Sequence, residues 1–285
     1  MRKARHHKKV KINKKRLTVT LLALIFLLAG ITVLLHGCGP QGPTEEELAE
    51  QQRLEEERRQ EEERQRQEEE KRQAEEKSRQ DRMYAYENGF LMLLNKEHSV
   101  DENYKAEDMV MIAEEYCCPD RSASTRYMRE EAVVQFQKML DAGRAEGQVI
   151  KMTTAYRSYW FQKTLWDNYV KKDGEAAAAR YSARPGTSEH QSGLAVDVSS
   201  ASVDWYLRNA FGETPEGKWL AEHCAEYGFI LRYPVDGEEK TGYMYEPWHV
   251  RYVTAPVAKE ITEKGLVLEE YLALYDWENG GVPVQ

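Results

Sequence analysis

The segment from Thr44 to Arg82 constrains this chain most, because it cannot form a hydrophobic core. It consists almost entirely of Glu, Arg, Gln, Lys and Ala, with two leucines as its only large apolar residues. Opposite charges recur three and four residues apart, as in Glu55 with Arg59, which favours a single solvated helix. The apolar heptad positions that a coiled coil needs are missing. We therefore expect residues 37–82 to form a semi-rigid stalk, with a disordered linker as the alternative.

An apolar run from Leu17 to Leu35 precedes the stalk. It carries no charged residue and is long enough to cross a hydrocarbon core at about 1.5 Å per residue. We expect residues 17–36 to form an uncleaved transmembrane signal anchor. Residues 1–16 carry nine Lys or Arg and no acid. This excess predicts a cytoplasmic amino terminus and places everything after Gly39 outside the cell.

The sequence around Cys38 supports a second form of membrane attachment. Leu35-His36-Gly37-Cys38 resembles a lipobox, in which Cys38 would be lipidated after cleavage, although His36 replaces the small residue usual at that position. Both alternatives leave the chain tethered to a membrane. The basic block precedes the apolar run and is not part of a folded domain, so nucleic-acid binding is not indicated.

Residues 83–285 are expected to form one globular domain, because aromatic, glycine and periodic apolar positions begin there. Apolar periodicity and capping residues predict the elements of this domain. The predicted helices are Glu130–Ala142, Ser158–Lys172 with Ser158 as N-cap, and Pro215–Tyr227. The predicted strands are Val149–Tyr156, one beginning at Leu194, Phe229–Tyr233 and Trp248–Val253. Strands and helices follow one another without a regular alternation, which indicates an α+β fold.

The stretch Thr187–Val198 contains the first candidate functional residues. From Leu194 the apolar residues alternate with others, which predicts a strand with Asp197 on the face opposite the core. His190 lies just upstream, and Gly193 permits a tight turn that could bring the imidazole and the carboxylate together. Histidine nitrogen and aspartate oxygen are ordinary zinc ligands, but two such residues alone are a weak indication.

A second candidate group lies in Glu246-Pro247-Trp248-His249. Pro247 disfavours helical backbone at Glu246, so Glu246 and His249 are expected on a turn that enters a strand. His249 would complete a His-Asp-His set and leave a fourth tetrahedral position for water, as in catalytic zinc sites. A carboxylate near that water could move its proton to a leaving amine, which makes Glu246 the candidate base. The alternative is a surface acid and an ordinary strand histidine.

These two motifs resemble a known family. Ser-Glu-His-Gln-Ser-Gly-Leu-Ala-Val-Asp at residues 188–197, followed about fifty residues later by Glu-Pro-Trp-His, is similar to the VanY-type D-alanyl-D-alanine carboxypeptidases. The likeness extends to Ala155–Ser158 with Gln162 and to Tyr227–Pro234, so it covers nearly all of the globular region. It implies the fold shared by Hedgehog and DD-peptidases, a small antiparallel sheet flanked by helices.

The resemblance also implies a role for each candidate residue. The implied zinc ligands are His190, Asp197 and His249. Glu246 would be the catalytic base. Arg157 stands where the family holds the terminal carboxylate of its substrate, and a planar guanidinium suits such bidentate pairing. Ser188 and Gln162 are weaker candidates for hydrogen bonds to the same chain end, with helix capping and helix surface as their alternative roles.

The function implied by the resemblance is a zinc-dependent carboxypeptidase that removes the C-terminal D-alanine from peptidoglycan stem peptides outside the cell. An L,D-carboxypeptidase that acts on tetrapeptide stems would use the same catalytic set and is the rival. A non-catalytic peptidoglycan-binding module with structural zinc is the other alternative. Glu246 argues against that module, which needs no base. The sequence does not determine the oligomeric state.

The remaining polar candidates are expected to be structural. Arg232 and Arg251 are interpreted as ion-pair partners, and His223 as a packed helix residue. The four cysteines do not make a disulfide framework or a thiolate zinc site; they are Cys38, Cys117, Cys118 and Cys224. A bridge from Cys117 or Cys118 to Cys224 and free buried thiols are both open.

Overall fold

Helix α1 (Glu45–Glu87) is the first element of the computed structural model, which describes residues 42–284. It begins with a capping box: the backbone N–H of Thr44 donates to the Glu47 carboxylate at 2.8 Å, and that of Glu47 to the Thr44 hydroxyl at 3.3 Å. Glu55 and Arg59 form the predicted ion pair at 3.1 Å. The helical interpretation of this segment is confirmed, whereas its role as a stalk stays a prediction.

The membrane anchor was predicted for a part of the chain that the structure does not describe. Residues 1–16, the apolar segment 17–36 and Cys38 all lie outside the described residues. Within residues 42–284, no helix has both the length and the apolar composition that a membrane crossing requires. Membrane attachment therefore stays a prediction from the sequence.

The contact pattern divides the chain between Glu70 and Lys71, and the second unit contains the sheets. After α1, its elements are β1 (Met109–Met111), β2 (Tyr127–Arg129), α2 (Glu130–Ala145), β3 (Ile150–Thr154), α3 (Tyr159–Asp173), α4 (Glu175–Ala178), β4 (Ala195–Ser200), α5 (Pro215–His223), β5 (Phe229–Leu231), α6 (Glu238–Thr241), β6 (His249–Tyr252), α7 (Ala255–Lys264), α8 (Leu268–Ala273), β7 (Tyr275–Asp276) and β8 (Val282–Pro283). This mixture is the predicted α+β class.

A four-stranded antiparallel sheet in the order β3-β4-β6-β5 forms the centre of this unit. Its register places Asp197 of β4 opposite His249 of β6. Directly opposed residues on neighbouring strands have Cβ atoms about 5 Å apart. The pairing of β4 with β6 therefore brings two of the candidate ligands together.

The predicted helices and strands are present, with shifted ends. Ser158 caps α3, because its hydroxyl accepts from the backbone N–H of Phe161 at 3.2 Å. The helix predicted over Pro215–Tyr227 is α-helical only to His223 and then tightens into a 3₁₀ turn over Cys224–Tyr227. Terminal tightening of this kind satisfies carbonyl groups that have no partner one turn further on.

Strand β4 differs from the prediction in its burial. Leu194, Val196 and Val198 belong to the apolar core, as the alternation predicted. The opposite face is covered as well, and all six residues of β4 are buried. Asp197 is only 1% exposed, so its carboxylate needs polar partners inside the protein.

Candidate metal site and cleft

His190 lies in a helical turn, Glu189–Ser192, that ends at Gly193. Gly193 has φ +73°, and a Cβ there would collide with the side chain of Met109, so the turn requires glycine. Nδ1 of His190 lies 2.6 Å from the carbonyl oxygen of Ala155. Because a carbonyl can only accept, Nδ1 carries the proton and Nε2 presents a lone pair.

The carboxylate of Asp197 faces both candidate histidines. Its Oδ1 lies 3.3 Å from Nε2 of His190 and 3.0 Å from Nδ1 of His249. One ligand atom from each of the three buried residues lies within 4.8 Å of the other two. Oδ1 of Asp197 is buried and makes no hydrogen bond of normal geometry to any described residue. These donors are of the types that zinc prefers, and they fit one metal ion.

Glu246 lies beside this set, on the predicted turn just before β6. Its Oε2 is 3.7 Å from Nδ1 of His249, and its side chain is 14% exposed. Burial raises the pKa of Glu246 to about 7, although the nearby imidazole of His249 opposes the rise. A carboxylate in this setting can take up and release a proton near neutral pH.

Arg157 lies between β3 and α3, with its guanidinium directed at the candidate ligands. Nη2 donates to Oδ2 of Asp197 at 2.7 Å and lies 2.5 Å from Nε2 of His190. Nη1 donates to Oε1 of Gln162 at 3.2 Å. The structure thus brings Arg157 to the predicted site but pairs it with a protein carboxylate.

The two weaker candidates occupy different positions. Ser188 lines the same cleft as the candidate ligands, and its side chain does not cap the following turn. Gln162 is buried, and its amide is engaged at both ends. Its oxygen accepts from Arg157 and its nitrogen donates to the carbonyl of Ala183 at 2.7 Å. Gln162 therefore holds Arg157 in place, and direct contact of either residue with a substrate stays a prediction.

Glu189 is a site residue that the sequence interpretation missed. Its Oε1 accepts from Nε of Arg232 and from Nη1 of Arg251, both at 2.7 Å. Burial would raise the pKa of Glu189, but the two guanidiniums outweigh it and hold that pKa well below its usual range. The predicted ion pairing of both arginines is confirmed. The available signal was an acid within the His190 motif together with an arginine in each of two predicted strands.

The second oxygen of Glu189 faces His249. Oε2 lies 3.5 Å from Nε2 of His249, on the side of the ring opposite the nitrogen that faces Asp197. Burial lowers the pKa of His249, but the adjacent carboxylates of Asp197 and Glu189 raise it to about 9. The carboxylates around this ring therefore favour positive charge at the site, with Nδ1 facing Asp197 and Nε2 facing Glu189.

The three candidate ligands, Arg157, Glu189 and Glu246 line a cleft of about 470 Å³, which we call the main cleft. Aromatic and apolar side chains make up much of its wall, and these are Phe161, Leu165, Tyr169, Leu207, Tyr233, Tyr243 and Trp248. A concave, mostly apolar site with a few converging polar groups is typical of ligand-binding clefts.

The other sequence candidates are structural, as predicted. His223 stacks on Trp219 with ring centroids 4.8 Å apart and contacts Glu226 at 2.8 Å. The three cysteines of the described region are free, buried thiols, and these are Cys117, Cys118 and Cys224. The structure therefore supports the free-thiol alternative over a disulfide.

Comparison with known proteins agrees with this geometry. Residues 125–255 match the family model described as VanY, D-alanyl-D-alanine carboxypeptidase. A solved vancomycin-resistance D,D-pentapeptidase VanY, in complex with Zn(II), is 32% identical, covers 64% of this chain and 98% of its own, and gives a TM-score of 0.54. This chain belongs to the VanY family.

Two further relatives widen the comparison. YodJ of Bacillus subtilis strain 168, named as a carboxypeptidase, is 44% identical over 181 residues, which are 64% of this VanY-family chain and 66% of YodJ. The solved LD-carboxypeptidase LdcB is 43% identical and gives a TM-score of 0.60, covering 63% of this chain and 84% of its own. The match to YodJ thus spans just under two thirds of that relative.

Proposed function

We propose that this chain is a zinc-dependent carboxypeptidase that removes the C-terminal D-alanine from peptidoglycan stem peptides. The observation that carries the proposal is the convergence of His190, Asp197 and His249 on one point of the main cleft, with Glu246 beside them. A bound zinc ion would supply an activated water and polarise the scissile carbonyl. The Zn(II) complex of the related D,D-pentapeptidase supports this metal.

Glu246 is the group that would move the proton. Its carboxylate reaches the edge of the metal site and opens to the cleft, where it can accept a proton from water and deliver it to the leaving amine. A non-catalytic binding module would need the three ligands but not this carboxylate. The presence of Glu246 in that position therefore favours an enzyme.

Arg157 would recognise the free end of the substrate. A metal cation at His190 and Asp197 would repel the guanidinium that now contacts both residues. Arg157 would keep its hydrogen bond to Gln162 and lose its contacts with His190 and Asp197. Its guanidinium could then pair with the terminal carboxylate of a peptide. Fixing the chain end at a set distance from the metal would make the enzyme an exopeptidase.

An L,D-carboxypeptidase that acts on tetrapeptide stems is the second candidate. The LD-carboxypeptidase LdcB is more similar to this chain than the D,D-pentapeptidase in both identity, 43% against 32%, and TM-score, 0.60 against 0.54. The catalytic groups described above would serve either reaction. These groups therefore do not distinguish a D- from an L-residue before the cleaved bond.

We also propose that the catalytic domain lies outside the cell, tethered to the membrane. The proposal rests on the apolar run of residues 17–36 and the basic block before it. Lipidation of Cys38 is the alternative anchor. An extracellular position would give the domain access to peptidoglycan stems.

The full chain, purified in detergent, is incubated with pentapeptide and with tetrapeptide stems, with and without a chelator. Mass spectrometry of the peptides then shows which of them loses an alanine. Loss of one alanine from the pentapeptide that a chelator abolishes would establish the D,D activity, and loss from the tetrapeptide alone the L,D activity. Glu246→Gln should bind zinc stoichiometrically and lose at least about a hundredfold in turnover. Glu222→Gln, an exposed acid on α5, is the control. Normal turnover of Glu246→Gln would refute the mechanism.

A further inference from the structure

A second cleft of about 260 Å³ adjoins the main cleft, and we call it the side cleft. Ser182 and Tyr243 line both clefts, so the two share a wall. Lys96 and Arg184 also line the side cleft, together with Trp166. The side cleft therefore combines positive charge with aromatic surface, next to the proposed catalytic groups.

Lys96 provides a positive charge that no described carboxylate contacts within ion-pair distance, and Glu238 acts on it only from farther away. Its ammonium lies 5.0 Å from the ring centroid of Tyr243 and makes no ion pair with any residue that the structure describes. The neighbouring arginines differ, because Arg184 pairs with a glutamate at 2.7 Å and Arg180 with another at 2.8 Å. A carboxylate of a bound ligand could therefore form an ion pair with Lys96.

The hydroxyl of Tyr243 lies near Thr187 but makes no hydrogen bond of normal geometry with it. Tyr243 is 4% exposed, and its oxygen is buried without a hydrogen bond of normal geometry to residues 42–284. Buried hydroxyl groups almost always have a hydrogen-bond partner, and those that lack one call for an explanation. We expect this hydroxyl to donate a hydrogen bond to a ligand that binds in the side cleft against the shared wall.

A short path of rings connects this wall to the candidate metal ligands. Ring centroids of His249 and Tyr233 are 4.8 Å apart, and those of Tyr233 and Tyr243 are 5.0 Å apart. With Lys96 a further 5.0 Å from Tyr243, the ammonium lies no more than about 15 Å from the ring of His249. Extended peptide spans about 3.3 to 3.6 Å per residue, so about four residues cover that distance.

We propose that the side cleft binds a free carboxylate of the substrate peptide, upstream of the bond that is cleaved. Lys96 provides the opposing charge, and Tyr243 donates a hydrogen bond. This inference rests on the proposed carboxypeptidase function and adds a second recognition point to it. Arg157 would bind the terminal carboxylate of the substrate, and the side cleft would bind the carboxylate of an acidic residue within four residues of the cleaved bond.

The test compares synthetic peptides with the same cleavable C-terminal alanine and either Glu or Gln upstream. One pair places the Glu or Gln at the second residue before the cleaved bond, another at the third and another at the fourth. We expect kcat/KM of the full chain to be about two- to fivefold higher for Glu at one of these positions, the range of a partly exposed charge pair. The preference should fall at high ionic strength.

Variants assign the preference to the side cleft. Lys96→Met should erase the preference for Glu over Gln, and Tyr243→Phe should reduce it. Lys105→Met is the matched control, because the Lys105 ammonium also lies over a tyrosine ring, that of Tyr127, at 5.9 Å but lines neither cleft. Lys105→Met should retain the preference.

The outcomes separate this inference from the proposed function. If the peptides are cleaved but Glu and Gln are equivalent at every position, the side cleft does not bind a carboxylate and the carboxypeptidase stands. Equal loss of the preference in Lys105→Met and Lys96→Met would show an effect of net charge and would also overturn the inference. If no peptide is cleaved, the proposed function fails and the inference fails with it.

Discussion

Glutamate and arginine form ion pairs in two regions of this protein, and the paired side chains are exposed to solvent in one region and buried in the other. In helix α1, Arg58 contacts Glu62 at 2.5 Å, and both side chains are more than half exposed. In the domain, Arg232 and Arg251 flank Glu189 at 2.7 Å, and all three side chains are 0% exposed. The distances are alike and the environments are not. Solvent screens the first pairs, whereas the second cannot lose one member without leaving a bare buried charge.

The difference extends to what the pairs hold together. Exposed pairs in α1 join residues three or four apart on one helix, so each adds only a few tenths of a kcal/mol to that helix. Glu189 joins the turn that carries His190 to arginines at the end of β5 and within β6. Arg251 also donates to the backbone carbonyls of Phe90 and Met92 at 3.0 and 2.7 Å. The buried cluster therefore fixes the relative position of segments distant in sequence.

The largest effect is expected for Arg232→Met. The substitution leaves Glu189 with one guanidinium and removes both contacts to Glu269, so the unfolding free energy should fall by about 3 to 5 kcal/mol. Arg184→Met is the control, because Arg184 also pairs with a glutamate at 2.7 Å but is 62% exposed, and should change stability by less than about 1 kcal/mol. Denaturant titration measures both; similar losses would contradict the importance of burial.

An intermediate effect is expected for Glu260→Gln, since Glu260 of α7 is partly buried. Its carboxylate accepts from Lys264 at 2.7 Å, from Tyr271 at 3.0 Å and from Tyr275. Burial opposes ionisation, but these donors lower the pKa of Glu260 below its ordinary 4.5. We expect a loss of about 1 to 2 kcal/mol in unfolding free energy near pH 7.

The pH dependence of that loss has a defined sign. A carboxylate with a lowered pKa in the folded state stabilises the protein above its unfolded pKa, and this stabilisation disappears as the pH falls through the folded value. The difference between wild type and Glu260→Gln should therefore shrink when unfolding is measured below about pH 4.5. A difference that grows in acid would show that the pKa of Glu260 is not lowered.

The smallest effect is expected for Arg58→Gln in α1. A synthetic peptide of residues 44–70 should lose less than about 0.5 kcal/mol of helix stability by circular dichroism. About 1 M salt should remove most of the difference, because the Debye length falls to about 3 Å. A loss as large as that of Glu260→Gln would show that exposure does not set the strength of these pairs.

Local sequence patterns predicted much of the domain because they act over short distances. Ser158 as a helix cap, the Glu246 turn before a strand and the helix through the charged segment all depend on neighbouring residues. Strand ends and the 3₁₀ turn at Cys224 were missed because packing decides where a regular element stops. The covered second face of β4 was missed for the same reason, since alternation cannot show what lies above the polar face.

The sequence by itself determined the helical charged segment, the α+β composition of the domain and the identity of the candidate ligands His190, Asp197 and His249. Only the tertiary structure decided that Asp197 pairs in register with His249, that Glu189 is buried between two arginines 43 and 62 residues away, and that Lys96 stands beside the main cleft. The physical reason is distance along the chain. A charge is neutralised, oriented or left unpaired by neighbours that only folding brings near.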